Sequence, residues 1–252
     1  MKVSVLASGS KGNCTYFETE NVKCLIDIGM SCAYVERNLK ELGVNPHEID
    51  CVFITHTHSD HIYGLKTFVK KYNPLICFTP KMHEDLDFPI EHFAYIEKEY
   101  SLEDLSVRVI KTSHDASDSN GYIMESKGKS FVYITDTGYI NIKNHKLLKD
   151  KNVYILESNH DVRMLKDGSY PYYLQQRILS DSGHLSNEAC AEYLATFVGN
   201  ETSLIFLAHL SESNNTPETA LKSVSAVLEK KNKKSCKIEV ANPKERTELI
   251  TL

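Results

Sequence analysis

Short apolar runs separated by polar, glycine-containing joints dominate the chain. Residues 3–7 and 15–18 read as two strands joined by Ser8-Gly9-Ser10-Lys11-Gly12-Asn13-Cys14, with a third strand over 24–28. A helix is expected over 31–42, stopped by Gly43, and Pro46-His47-Glu48 reads as a turn. Cys51-Val52-Phe53-Ile54 is β-branched and aromatic enough for a buried strand, and residues 62–69 carry helical spacing. A strand over 75–78 and a short helix over 81–86 follow. Further strands are expected around 94–96, 106–110, 121–125 and 130–134, the last two made a hairpin by Ser126-Lys127-Gly128-Lys129. The pattern then gives a helix over 141–148, a buried strand over 152–156, a helix over 188–198 and a strand over 204–208. A last helix is capped by Thr216 with Pro217 at its first position. The basic run at 229–237 reads as its solvated C-terminal end, with phosphate contact as the other reading.

Hairpin-rich strands in two batches, with helices between and after them, imply an α/β or α+β domain. At 252 residues and 41% hydrophobic content, one domain over 1–252 can bury a sizeable core. There are no repeats, linkers or low-complexity segments. Met1-Lys2-Val3-Ser4-Val5-Leu6 lacks a leader pattern, and no apolar run nears the roughly 18 residues that span a bilayer. Seven scattered cysteines look like small buried hydrophobes in a reducing compartment, the cytoplasm, and not like a disulfide framework. A net charge of −5 counts against a generic nucleic-acid binder.

The chemistry concentrates in Thr55-His56-Thr57-His58-Ser59-Asp60-His61. With 11 histidines in 252 residues, three beside an aspartate in one turn do not follow from composition. In extended chain, residues i and i+2 share a side, so His56 and His58 can hold one ion; Asp60 and His61, past the bend, can reach a second. Other candidates sit at the polar ends of apolar runs: Asp27 upstream, then His114, Asp136 and His209.

The HxHxDH run, with those later residues in order, resembles the metallo-β-lactamase fold superfamily. The resemblance implies a four-layer αββα sandwich with metals at one edge. It assigns His56, His58 and His114 to one ion, Asp60, His61 and His209 to the other, and Asp136 to the bridge, with Asp27 as a supporting residue. The segment between Asp136 and His209 is too short for the inserted domain of β-CASP nucleases and has no long tRNA-gripping arm. Residues 7–14, 170–187 and 208–217 are similar to the bacterial YycJ group, also called VicX or WalJ. That likeness implies a metal-dependent phosphodiesterase with 5′-directed DNA exonuclease activity, and a link by gene neighbourhood to a cell-wall two-component system.

Two ions about 3.5–4 Å apart activate a shared water towards a pKa of roughly 7 and clamp attacking and leaving oxygens, so no side-chain nucleophile is needed. Such a site would carry a local charge of about +1, which favours an anionic substrate. No cysteine falls among the ligands; zinc is the first choice, with manganese or iron open. Asp60 and His184 are the candidate acid–base residues. Ser8, Ser10 and Asn13 of the glycine-rich joint, which could form an anion nest or be a plain turn, are candidate substrate contacts, as are Asn159, His160 and His184. Tyr170, Tyr172 and Tyr173 could stack on bases, or pack as core or lid. His47 and His145 read as surface residues, and His83 and His92 are assigned no role. A thioester or lactone hydrolase of the glyoxalase II type and a regulatory accessory protein of the two-component system are the alternatives. Antibiotic hydrolysis is disfavoured, because the enzymes that perform it resemble this chain less at Asp136, where they place a cysteine ligand.

Overall fold

The structure, a computed structural model, describes residues 1–233 and 235–252. The N-terminal half supplies β1 (Lys2–Ala7), β2 (Cys14–Glu18), β3 (Lys23–Ile26), β4 (Cys51–Phe53), β5 (Leu75–Phe78) and β6 (Phe93–Tyr95). A second sheet holds β7 (Glu99–Leu102), β8 (Leu105–Lys111), β9 (Asn120–Ser126), β10 (Lys129–Ile134), β11 (Val153–Glu157), β12 (Leu204–Ala208) and β13 (Lys237–Val240). The chain then returns as β14 (Ile250–Thr251) to pair with β1, so that each sheet has seven strands among the described residues. Both sheets are antiparallel at one end and parallel at the other: β3 to β6 run parallel, as do β10 to β13.

The helices are α1 (Cys32–Glu41), α2 (Ser59–Ile62), α3 (Leu65–Tyr72), α4 (Pro80–Asp85), α5 (His145–Leu148), α6 (Val162–Asp167), α7 (Tyr172–Ile178), α8 (Asn187–Phe197) and α9 (Pro217–Lys230). Side-chain oxygens cap the long ones: Ser31 accepts from Tyr34 N, Ser186 from Ala189 N and Thr216 from Thr219 N. One apolar layer, including Phe17, Phe53, Phe131 and Phe206, lies between the sheets. A second, with Tyr16, Leu39 and Phe68, joins α1 and α3 to the outer face of the first sheet. A third, with Tyr154, Leu194 and Val224, does the same for α8 and α9 on the second sheet. The result is the expected αββα sandwich. Covered on both faces, β11 and β12 are buried along their whole length, which is why they read as unbroken apolar runs.

Several local expectations change. The helical spacing over 62–69 starts earlier and is split into α2 and α3 at Gly64, where a Cβ would lie 2.2 Å from Met30 O. Strands β7, β13 and β14 and helices α6 and α7 carry too short or too exposed an apolar pattern to be read locally. Residues 141–148 form a 3₁₀ turn followed by α5, and His145 is half-buried against Tyr193 and Phe197, not free on the surface. The hairpin turn is of the primed kind, with Lys127 at φ 50° and Gly128 at φ 76°. Of the basic run, Lys233 reaches Val198 O at 3.2 Å, while Lys234 lies outside the described residues. Cys14, Cys24, Cys32, Cys51, Cys77 and Cys190 are buried free thiols. Among the described residues no helix is long and apolar enough to cross a membrane.

Candidate metal centre

The C-terminal ends of β1, β3, β4, β8, β10, β11 and β12 open on one edge of the sandwich, and the chemistry gathers there. Three residues that end strands, Asp27, Asp136 and His209, hold left-handed backbone, at φ 59°, 54° and 55°. Non-glycine residues rarely adopt it, so each turn is imposed by its surroundings. The sharp exit aims the side chain across the strand ends. Asp27 is fully buried and accepts hydrogen bonds from Thr55 N (2.8 Å), Thr55 Oγ1 (2.7 Å) and His61 Nδ1 (2.7 Å). It thereby fixes the tautomer of His61, whose Nε2 faces the cluster. Gly29 lets the first loop press on α2: Asn13 N donates to Asp60 O at 2.8 Å, and a Cβ on Gly29 would sit 1.6 Å from that oxygen.

His58 is the N-cap residue of α2, and the single turn that follows carries Asp60 and His61. The candidate ligands fall into overlapping groups whose donor atoms lie within 4.8 Å of one another: His56, His58 and His114; Asp60, His61 and His209; and His56, His61 and Asp136. His114 Nε2 is 3.3 Å from His58 Nδ1, and His61 Nε2 is 3.1 Å from Asp136 Oδ2. Two nitrogens each about 2.0–2.1 Å from a tetrahedral ion stand roughly 3.3 Å apart. Buried polar atoms normally have partners. Yet His56 Nε2, Asp136 Oδ2 and His209 Nε2, all shielded from solvent, make no hydrogen bond; Asp136 Oδ2 faces His61 Nε2 at 3.1 Å and His209 Nε2 faces Asp60 Oδ2 at 3.7 Å, both within this cluster. Orphaned imidazole nitrogens beside an ionised carboxylate are the donor set of a cation site, so the residues present could bind metal ions.

Burial would lower His61 and His209, but Asp27 raises the first to about 10 and Asp136 raises the second well above the ordinary histidine value, so a cation bound there would displace a proton from each. Burial would raise the Asp136 carboxyl, but His209 and His61 hold it well below the usual carboxylate range. Burial likewise opposes ionisation of Asp60, which His209 and His61 nevertheless keep low. Burial, reinforced by His61, pushes the His56 imidazole well down, and burial also lowers His114; both are neutral, as ligands must be.

Glu157, at the end of β11, is the functional residue that sequence reasoning missed. Fully buried, it accepts from His184 Nδ1 (2.8 Å) and His209 Nδ1 (2.9 Å) through one oxygen, and from Leu185 N (3.0 Å) and Thr137 N (3.1 Å) through the other. Against the cost of burial, His184 and His209 pull its pKa down to about 2. Burial would lower His184, but Glu157 raises it above the ordinary histidine value. The available signal was a carboxylate closing an apolar run, the same pattern as Asp27 and Asp136.

The remaining candidates separate by position. Ser10, Asn159 and His184 line a cavity of about 280 Å³ beside His114. Ser8 and Asn13 do not reach it. Ser8 is buried and its Oγ accepts from His209 N at 2.8 Å; Asn13 is fully buried, with its amide on Gly9 and against Asp60 and His61. The glycine-rich joint therefore braces the ligand loops, and only Ser10 of the three expected contacts faces the cleft. His160 is buried outside the lining, and burial lowers it to about 4. Tyr170 lines the cavity, whereas Tyr172 and Tyr173 are 74% and 73% exposed and pack on no core. A larger polar groove, of about 460 Å³, lies at the opposite ends of β8 to β10 and holds none of the cluster.

A family profile described as "Beta-lactamase superfamily domain" matches residues 23–209. The chain is 39% identical to "Exodeoxyribonuclease WalJ" of Streptococcus pneumoniae over 228 residues, 87% of this chain and 85% of that protein. It is 38% identical to "Exodeoxyribonuclease YycJ" of Bacillus anthracis over 235 residues, 90% of this chain and 89% of the other. Among solved structures, the metallo-beta-lactamase fold protein YhfI from Bacillus subtilis superposes with a TM-score of 0.74 over 98% of both chains, at 15% identity, a likeness of fold alone.

Proposed function

The chain belongs to the metallo-β-lactamase superfamily, and from that premise we propose that it is a metal-dependent phosphodiesterase that removes nucleotides from DNA as a 5′-to-3′ exonuclease. The observation that carries the reading is the convergence of seven His and Asp side chains, four of which (His56, His114, Asp136 and His209) have a buried polar atom with no hydrogen bond. The likeness to two proteins named exodeoxyribonucleases supports the substrate.

In this reading His56, His58 and His114 hold one ion, Asp60, His61 and His209 the other, and Asp136 lies between. Zinc is preferred, and manganese or iron fit the same thiolate-free donors. Bound divalent ions supply Lewis acidity to the phosphate and make water a nucleophile near neutral pH. The protein's own groups handle the rest. Asp60, with 22% of its side chain exposed against 3% for Asp136, is the more open of the two cluster carboxylates and takes the proton of the attacking water. His184 lines the cavity with Nδ1 tied to Glu157, which leaves Nε2 to carry a proton to the leaving oxygen. Asn159 and Ser10 contact the substrate beside it. Free buried cysteines support a reducing cytoplasm, and the reading includes a functional link to a cell-wall two-component system.

The test is digestion of end-labelled duplexes carrying a 5′-phosphate or a 5′-hydroxyl, using stripped protein with zinc or manganese restored. Release should follow the metal and the 5′ end, and His58→Ala should abolish it. Intact release in His58→Ala sinks the mechanism. Metal-loaded protein that leaves DNA untouched but cleaves acyl-glutathione or lactones replaces the nuclease reading with the thioester hydrolase one.

A further inference from the structure

We propose that the cavity of about 280 Å³ beside the cluster seats a single terminal nucleoside, with α7 as the wall that limits cutting to one nucleotide at a time. This rests on the nuclease reading and names the part of the substrate that the cavity takes. The cavity is bordered by His114, a candidate ligand, and by His184, the candidate proton donor. A group held there adjoins the cluster through His114.

The two walls differ in chemistry. Leu174 and Ile178 stand one turn apart on α7 and so face the same way. An amphipathic helix normally buries such a pair against the core. Here α7 has no buried residue, and both side chains stay half-exposed because they line the cavity together with Tyr170. The rest of the lining is polar: Asn159 is held by His209 O and Ser211 Oγ accepts from Asn214 N, which leaves the Ser10 and Ser211 hydroxyls free to donate to a ligand. The lining's guanidinium, Arg177, is spent on Asp115, at 2.7 Å from Nε and 2.5 Å from Nη2, and His184 is tied to Glu157. With its charges paired, the cavity suits an uncharged group, apolar on one face and hydrogen-bonding on the other, better than a second phosphate. A base and its sugar have that character. At about 280 Å³ the cavity falls just below the roughly 300–1,000 Å³ found for drug-sized ligand sites, which suits one nucleoside and not two stacked ones.

The wall is also fixed in place. The Arg177–Asp115 pair ties α7 to the His114 loop. Gly183 packs so closely on the end of α7 that a Cβ there would lie 2.2 Å from Ile178 O.

The test compares binding of thymidine 5′-monophosphate and inorganic phosphate to the metal-loaded protein by calorimetry, in the wild type and in Leu174→Trp and Ile178→Trp, which fill the cavity from half-exposed positions. The nucleotide should bind the wild type at least about tenfold more tightly than phosphate, and the gap should collapse in both variants. In parallel, the shortest product from a 5′-labelled oligonucleotide should be a mononucleotide. Equal binding of nucleotide and phosphate to the wild type, or a gap that survives both tryptophans, overturns the proposal. So do di- or trinucleotides as the shortest products. If the binding pattern holds while neither DNA nor a simple aryl phosphodiester is cleaved, the pocket stands and the nuclease reading falls.

Discussion

Replacing Glu157 by glutamine changes almost no volume, yet it removes the charge on which four donors converge. Each carboxylate oxygen accepts two N–H groups: His184 and His209 on one, Leu185 and Thr137 on the other. An amide has one oxygen. Whichever way it turns, its NH₂ faces two donors, and two buried bonds are lost. Hydrogen bonds to a charged group contribute about 1.5–3 kcal/mol each, and breaking a buried ionic arrangement on one side costs roughly 3–5 kcal/mol.

The pH dependence gives a second route to the same figure. Glu157 falls from an ordinary 4.5 to about 2 when folded: burial raises it, and His184 and His209 more than offset that. A drop of that size corresponds to roughly 3 kcal/mol. Because the folded pKa is the lower one, this stability is fully present above about 4.5 and is lost as pH falls towards 2. In metal-stripped protein, urea unfolding should show Glu157→Gln less stable by about 3 kcal/mol at neutral pH, with the gap narrowing below about pH 4.5 and m unchanged. Metal affinity should also drop about 10–100-fold, since His209 loses the group that orients it. A neutral-pH difference below about 1 kcal/mol, or one that does not narrow in acid, refutes the reasoning.

Two further substitutions probe the other side of the cluster. Asp27→Asn keeps a residue that tolerates the left-handed backbone at φ 59° but removes the charge under His61. Chelator competition should show metal affinity reduced at least about tenfold, with the fold retained by circular dichroism; unchanged affinity would deny Asp27 its supporting role. Gly29→Ala places a methyl 1.6 Å from Asp60 O, so α2 must move. The expected loss is at least about 3 kcal/mol, read as a fall in thermal midpoint, and a variant melting with the wild type would mean that the loop and α2 are not so closely joined.

What the sequence made legible and what it hid divide along the distance over which each feature is determined. Residues 51–61 could be read because strand, bend and candidate ligands follow one another within a dozen positions. The alternation of His56 and His58 is itself the geometry that brings them together. His114, Asp136 and His209 needed the family resemblance, because their meeting depends on β8, β10 and β12 ending at one edge, a property of the sheet and not of any local pattern. Glu157 was hidden for the same reason: its partners at 137, 184, 185 and 209 lie on different loops, and a lone glutamate after an apolar run resembles an ordinary strand end. Ser8 and Asn13 differ from the expected substrate contacts in position: a glycine-rich joint beside a site resembles an anion nest in sequence, but here these two side chains are engaged by the backbones of residues 9, 60 and 209. Helix α7 escaped because its apolar pair is too short a stripe to register. If the cavity seats a nucleoside, that incompleteness is functional: the two residues are kept apolar by what they meet during catalysis, and no buried partner within the chain is there to reveal them.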